Sequence, residues 1–369
     1  MQGTGERWRL GRRPALDGVR GIAILLVLVA HMDAPAMSGL GAMGVTVFFA
    51  LSGFLITALL LEEHERAGRL DLRRFYERRA RRLLPVLLVV TAVVAVLAPT
   101  LGSVLMPWQA VPAVVFYYAN WLGDAQLGGA LGGTWSLAVE EQFYLLWPML
   151  VGVLVRRGPR TVLRGALLGV TTSVAVRLGL ILSGADVGRI YHGSDSVAFA
   201  LLAGAALAAW QVQRPTMKSR RAWLAVALPL LAAPMLWSKD AAQVFGPLLA
   251  APAGILLVTT AASSHAPQLL QGRALTWLGQ RSYGIYLWHV PIGFVLRQCV
   301  GWSWWAIGAV MLPLALLLAE ASYRTVEVPF RRRQSSNVSQ ATCVNEPSRS
   351  FTHSGCEASG PTLLVSSQS

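Results

Sequence analysis

The sequence predicts an all-α polytopic membrane protein of about ten transmembrane helices, with both termini on the cytoplasmic side. Three observations lead there. Of 369 residues, 54% are hydrophobic and only 14% charged, whereas soluble domains carry about a quarter charged residues. Apolar runs of roughly 17 to 25 residues recur, each about long enough to cross ~30 Å of hydrocarbon as a helix and unlike the ~10-residue alternating strands of a membrane barrel. The net charge of +14 would point to nucleic acid in a soluble protein, but here it is gathered between apolar runs, as the positive-inside rule requires. No nucleic-acid partner is therefore expected. Cys299, Cys343 and Cys356 lack metal-ligand spacing, so no metal site or disulfide framework is expected.

The spans follow in order from where charge stops and hydrophobicity starts. The first, 15–33, follows a short cytoplasmic N-terminus, 1–14, and the second covers 42–62; eight basic residues between Arg66 and Arg82 then lead into 83–102. The apolar segment 105–122 carries Pro107, Pro112 and Asn120, with Asp124 just beyond, and would reverse every later loop if it spanned. It is placed outside as a re-entrant or interfacial piece rich in Trp108, Tyr117, Tyr118 and Trp121. Spans 136–155 and 161–183 flank four arginines between Arg156 and Arg164. Spans 195–212 and 222–238 flank four basic residues between Arg214 and Arg221. Spans 243–262, 282–298 and 303–323 complete the set. In this arrangement 28 of the 32 basic residues are cytoplasmic.

The tail, 334–369, is rich in Ser, Gln, Thr and Gly and has too few apolar residues to build a core, so it is expected to be a disordered cytoplasmic segment. The membrane domain is then 15–333. No soluble catalytic domain is expected to contribute. The basic start, the run Ile22 to Ala30 and Ala34-Pro35-Ala36 also fit a secretory signal peptide; the first span is retained because of the ionisable residues it carries.

Charged side chains inside a bilayer are costly unless paired or functional. Arg20 and His31 are eleven residues apart, which puts them on one helix face about 16 Å apart. The fourth span opens with Trp135-Ser136-Leu137-Ala138-Val139-Glu140-Glu141-Gln142-Phe143-Tyr144. Ser136, Glu140 and Tyr144 share a face and Glu141 points about 100° away, so one acid can face a cavity while the other holds a neighbouring helix. Asp195, between Ser194 and Ser196, fits an ordinary helix cap or a polar substrate contact. His31, Glu140, Glu141 and Asp195 all map to outer ends of spans, where a His beside carboxylates could deprotonate a hydroxyl. At the cytoplasmic end, Arg78, Arg79, Arg81 and Arg82 suit phosphates, although topology and anionic lipids explain arginines equally well. Phe48, Phe49, Ser52 and Gly53 fit close helix packing. His289, in mid-span, must find a partner.

These residues resemble the acyltransferase 3 family of membrane O-acyltransferases. The matching pieces are Leu16-Asp17-Gly18-Val19-Arg20 leading to His31, Val47 to Ile56, Arg78 to Pro85, Thr134 to Leu145, Ser282 to His289, and Ala321 to Glu327. The resemblance implies transfer of an acyl group, commonly acetyl, from acyl-CoA to a hydroxyl of a sugar-containing acceptor, with His31 essential, Arg20 its paired arginine and Arg78 to Arg82 on the CoA side. Val197 stands where the family often has Arg.

The expected mechanism has Arg20, Arg78, Arg79, Arg81 and Arg82 holding the CoA phosphates, and His31, oriented by Glu140 or Glu141, taking the proton of the acceptor hydroxyl. Ser136, Tyr144 and Asp195 are expected to contact substrate. Acyl-CoA is a co-substrate and no permanently bound cofactor is expected. An acyl-histidine intermediate stays open. The Ala, Arg, Leu and Val bias fits a GC-rich bacterial gene, whose product would sit in the plasma membrane, contact its lipids and modify an envelope glycan or a glycosylated natural product. The rival reading is a secondary transporter that uses the intramembrane His, Glu and Asp as a proton relay.

Overall fold

The computed structural model describes residues 10–330 except 12, 33, 35–36, 102–109, 123–128, 215–221 and 299. The tail 334–369 and most of the N-terminal segment lie outside the described residues. Among the described residues there is helix and no strand.

Helix α1 (Pro14–Ala30) has proline in its first turn, where the missing N–H breaks no helical bond. It ends at His31, whose N–H still bonds the carbonyls of Val27 and Leu28. α2 (Leu40–Ala67) stops at Gly68, which takes the left-handed conformation, φ 68°, and caps the carbonyl of His64 at 2.8 Å. α3 spans Leu72–Leu101. It starts well before the apolar run at 83, so the arginine cluster is part of a helix and each arginine has a defined face. The segment after α3 contributes only a short helix, α4 (Ala110–Val115), and a 3-10 turn, Ala119–Trp121. α5 (Trp135–Leu154) and α6 (Pro159–Leu182) follow, then the short α7 (Val187–His192) and α8 (Ser194–Gln213). α9 (Ala222–Ala232), α10 (Lys239–Ala262), α11 (Arg273–Gln298) and α12 (Trp304–Ser322) complete the bundle.

Among the described residues, seven helices are long and apolar enough to cross a membrane: α2, α3, α5, α6, α8 together with α7, α10 and α12. α1, at 17 residues, α9 and α11 lie outside that set. α11 is long enough, but it carries Arg273, Arg281 and Arg297.

α1 packs between α2 and α11, and α2 is covered on its other sides by α8 and α10. Backbones touch at these crossings. A Cβ on Gly53 would lie 1.8 Å from the carbonyl oxygen of Leu201, and one on Gly204 would lie 1.9 Å from that of Ala50, so only glycine permits the α2–α8 contact. Across α6, α7, α8 and α10 the fully buried Arg177 donates to the carbonyls of Ile190, Ser196, Gln243 and Val244. Glu320 instead pairs with Arg281 and Arg324.

Candidate active site

Facing helices α1, α2, α3, α5 and α11 enclose a cavity of about 100 Å³. Its polar wall includes Arg20, Ser52, Arg79, Arg82, Ser136, Glu140, Tyr144, Ser282, Tyr283 and Tyr286. Two further chambers share Arg79 and Arg82 with it. One, of about 220 Å³, also has Arg13, Asp17 and Arg20 in its wall; the other, of about 410 Å³, is bounded by Glu62, Glu63, Arg66, Arg74 and Arg78.

The four-residue spacing on α5 does what helical geometry dictates. Glu140 accepts from the hydroxyls of Tyr144 (3.3 Å) and, across the bundle, Ser52 (3.0 Å). One turn away, Ser136 and Tyr286 share a 2.6 Å hydrogen bond, and the Tyr286 hydroxyl also donates to the Gly133 carbonyl. Glu141 points to α3, where Arg79 meets it with Nη2 at 2.9 Å. Arg20 is paired with Asp17 one turn earlier at 3.3 Å.

His31 lies elsewhere. Its Nδ1 is 2.8 Å from the Val27 carbonyl oxygen. A carbonyl can only accept, so Nδ1 carries the proton and Nε2 the basic lone pair. Its ring meets that of His289 at 4.8 Å between centroids, nearly perpendicular, and Arg297 donates to its carbonyl oxygen at 2.7 Å.

Two expectations need correction. Glu140 does not orient His31, and neither glutamate lies at the level of His31. Ser52, which holds Glu140, and Gly41, which lies beside the His31 ring, are eleven residues apart on α2, about 16 Å of rise. Glu140 therefore sits at the depth of Arg20, and the tautomer of His31 is set by its own helix. Nor does the arginine cluster act as one group. Arg79 and Arg82, three residues apart, face the cavities with Arg78 beside them. Arg81 projects about 200° from Arg79, is exposed and borders none of these three chambers.

The profile of the acyltransferase domain family matches residues 13–324. The chain belongs to the acyltransferase 3 family. Curated relatives include a peptidoglycan O-acetyltransferase, OatA, of Listeria monocytogenes, 32% identical over 86% of this chain and 56% of that protein. A putative peptidoglycan O-acetyltransferase, YrhL, of Bacillus subtilis is 33% identical over 86% of this chain and 55% of its own length. The O-acetyltransferase OatA of Staphylococcus aureus is 31% identical over 87% of this chain and 57% of its own. The chain thus spans a little over half the length of these relatives. No solved structure matches significantly.

For this acyltransferase-family chain, the structure brings together Arg20, Arg79, Arg82, Ser136, Glu140 and Tyr144 around one cavity, with Arg78 and Glu141 alongside. It leaves His31 about 16 Å of rise from Arg20. Asp195 is held apart, gripped by both Nη atoms of Arg189 at 2.9 and 2.6 Å in an exposed pair. Sequence reasoning missed the inner wall formed by Tyr283 and Tyr286. Their spacing carried a readable sign: with His289 they stand at successive three-residue steps on α11, a polar stripe on one face.

Proposed function

We propose that the chain is a membrane O-acyltransferase that moves an acetyl group from acetyl-CoA to a hydroxyl of a peptidoglycan-type glycan. The observation that carries this reading is the set of arginine-lined chambers on Arg79 and Arg82, with a polar step at Ser136 and Tyr286, on the side of the bundle from which α1 leads to His31. Guanidinium forks recognise phosphate oxygens bidentately. The nucleotide end of the donor occupies the arginine side, and its extended pantetheine arm follows the roughly 16 Å from Arg20 to His31. Acetyl transfer and the glycan acceptor follow from the peptidoglycan O-acetyltransferases that the chain resembles.

His31 is the general base. Its Nε2, left basic by the Nδ1–H bond to Val27, takes the proton of the acceptor hydroxyl as the oxygen attacks the thioester carbonyl. The C–O bond forms, the C–S bond breaks, and the departing thiolate takes the proton back. The ten-helix topology with both termini cytoplasmic belongs to this proposal, with α1, α11 and the apolar stretch 222–238 that contains α9 crossing beside the other seven helices. So do the bacterial plasma membrane as location and 15–333 as the working domain.

The test is purified protein in liposomes, given acetyl-labelled acetyl-CoA and a muropeptide acceptor. Label on the glycan with stoichiometric release of free CoA is expected. Intact thioester with no label on the acceptor overturns the reading, and label moved across the bilayer with the thioester intact assigns the transporter instead.

A further inference from the structure

His289 is fully buried, and its two ring nitrogens are in opposite situations. Nδ1 lies 2.7 Å from the Tyr286 carbonyl and 3.2 Å from that of Ile285, so it carries the proton and is tied back onto α11. Nε2 is buried with no hydrogen-bond partner among the described residues. Buried polar atoms are nearly always paired, so an open one calls for a reason. With Nδ1 turned back to its own helix, the Nε2 edge faces away from it, toward the neighbours. The neighbour in ring contact is His31, at 4.8 Å between centroids.

The other two members of the α11 stripe are satisfied, Tyr283 on the Leu83 carbonyl and Tyr286 on Ser136 and Gly133. Only the third presents an unused lone pair. Among the described residues, the titratable groups that meet the pair are Tyr286 and Arg297 from α11 itself and each imidazole for the other. At this level α2 and α12 bring Gly41 and Met311, which do not titrate. Arg297, 2.7 Å from the His31 carbonyl oxygen, opposes a positive charge on that residue.

We infer that His289 is a positioning residue for the acyl transfer, a neutral imidazole whose open Nε2 dipole stabilises the imidazolium formed on His31. The inference rests on the reading of His31 as base. Carbonyls on Nδ1 polarise the ring and make Nε2 more negative. A dipole fixed in advance in a water-free site costs no reorganisation when the charge appears. His289 neither gains nor loses a proton; the proton moves from the acceptor oxygen to His31 and on to the thiolate.

Full-length protein in nanodiscs tests this with His289→Phe, which keeps a ring but removes the lone pair, and His289→Gln, which restores an oxygen acceptor near the position of Nε2. Acetyl-CoA turnover is followed over a pH series, with His31→Ala in parallel. The expected result is kcat about tenfold lower in His289→Phe, donor KM within about twofold, the acid limb of the kcat profile moved to lower pH, and substantial recovery of rate and limb in His289→Gln. Should the Phe variant fail to accumulate, His289→Leu, which also lacks the lone pair, takes its place: a moved limb at reduced kcat supports the inference. Wild-type kcat in the variant that lacks the lone pair, or loss of rate with the limb unmoved, overturns it and makes His289 a packing residue. A rise confined to the acceptor KM also overturns it and assigns Nε2 to the acceptor. If His31→Ala itself stays active, the reading of the base has failed instead.

Discussion

The Arg79 guanidinium grips the Glu141 carboxylate, Nη2 to Oε1 at 2.9 Å and Nε to the two oxygens at 3.1 and 3.3 Å, while lying over the Tyr144 ring. This pair joins α3 to α5 at the wall of the cavity. Both side chains are less than one-fifth exposed, so the contact is weakly screened. Removing one partner strands a charge.

Glu141→Gln should therefore cost stability, about 2 kcal/mol given the partial exposure, read as a lower midpoint of thermal unfolding in detergent. The double variant Arg79→Leu with Glu141→Leu should lose less than the sum of the two single changes, since an apolar pair leaves no unpaired charge. Additive losses would mean that the pair is not coupled.

The arginines should separate. Arg82→Ala should raise the apparent KM for acetyl-CoA about tenfold with kcat little changed, the mark of a lost contact made equally in ground and transition states. Arg81→Ala, on the exposed side of α3, should leave KM within about twofold. Steady-state kinetics on variants of matched orientation decide; equal effects of the two would remove the facial assignment.

Much of this architecture was readable beforehand. Each of the ten apolar runs overlaps a helix, and among the described residues seven helices are long and apolar enough to cross a membrane, where a helix satisfies its own backbone. The shared face of Ser136, Glu140 and Tyr144, and the divergence of Glu141, came directly from 3.6 residues per turn. Depth was not readable. The register between helices is set by contacts such as Gly53 on Leu201 and Gly204 on Ala50, which no single-helix periodicity reveals. Periodicity alone thus places Glu140 at the wrong level, beside His31 and not Arg20. The face of Arg81 is hidden for a different reason: hydropathy starts the third span at 83, whereas α3 begins at Leu72, so hydropathy alone leaves the arginines without a helical phase. Asp195 does not cap its helix, whose N-cap is Gly193, but joins the first turn of α8 to Arg189 on the short separate helix α7, across a turn whose geometry the local sequence does not dictate.

Topology gives a further expectation. Reporter fusions after Trp121, Gly158 and Gln334 should read outside, inside and inside, because the basic residues gather on the side of Gly158 and of the region beyond Arg324. An outside reading at Gln334 would remove the ten-helix count.

The sharpest prediction separates His31 from Glu140. As the base, His31 should lose roughly 10²-fold or more in kcat on change to Ala, with protein level and donor KM near wild type. Glu140 sits with Arg20 at the other level, bonded to Ser52 and Tyr144. Its charge is too far from His31 to tune its ionisation through contact, and what it shapes is the cavity wall. Glu140→Gln should therefore shift donor KM by a few-fold and leave the acid limb of the kcat profile in place, while Arg20→Ala, which frees Asp17 as well, should raise donor KM further. Turnover in nanodiscs across a pH series reads all three variants together. A limb that moves in Glu140→Gln would show that the two levels communicate electrically. More than about a tenth of wild-type kcat in His31→Ala, well above what a missing base leaves, would make the histidine structural and send the search for the base to the Tyr286 and Ser136 hydroxyls.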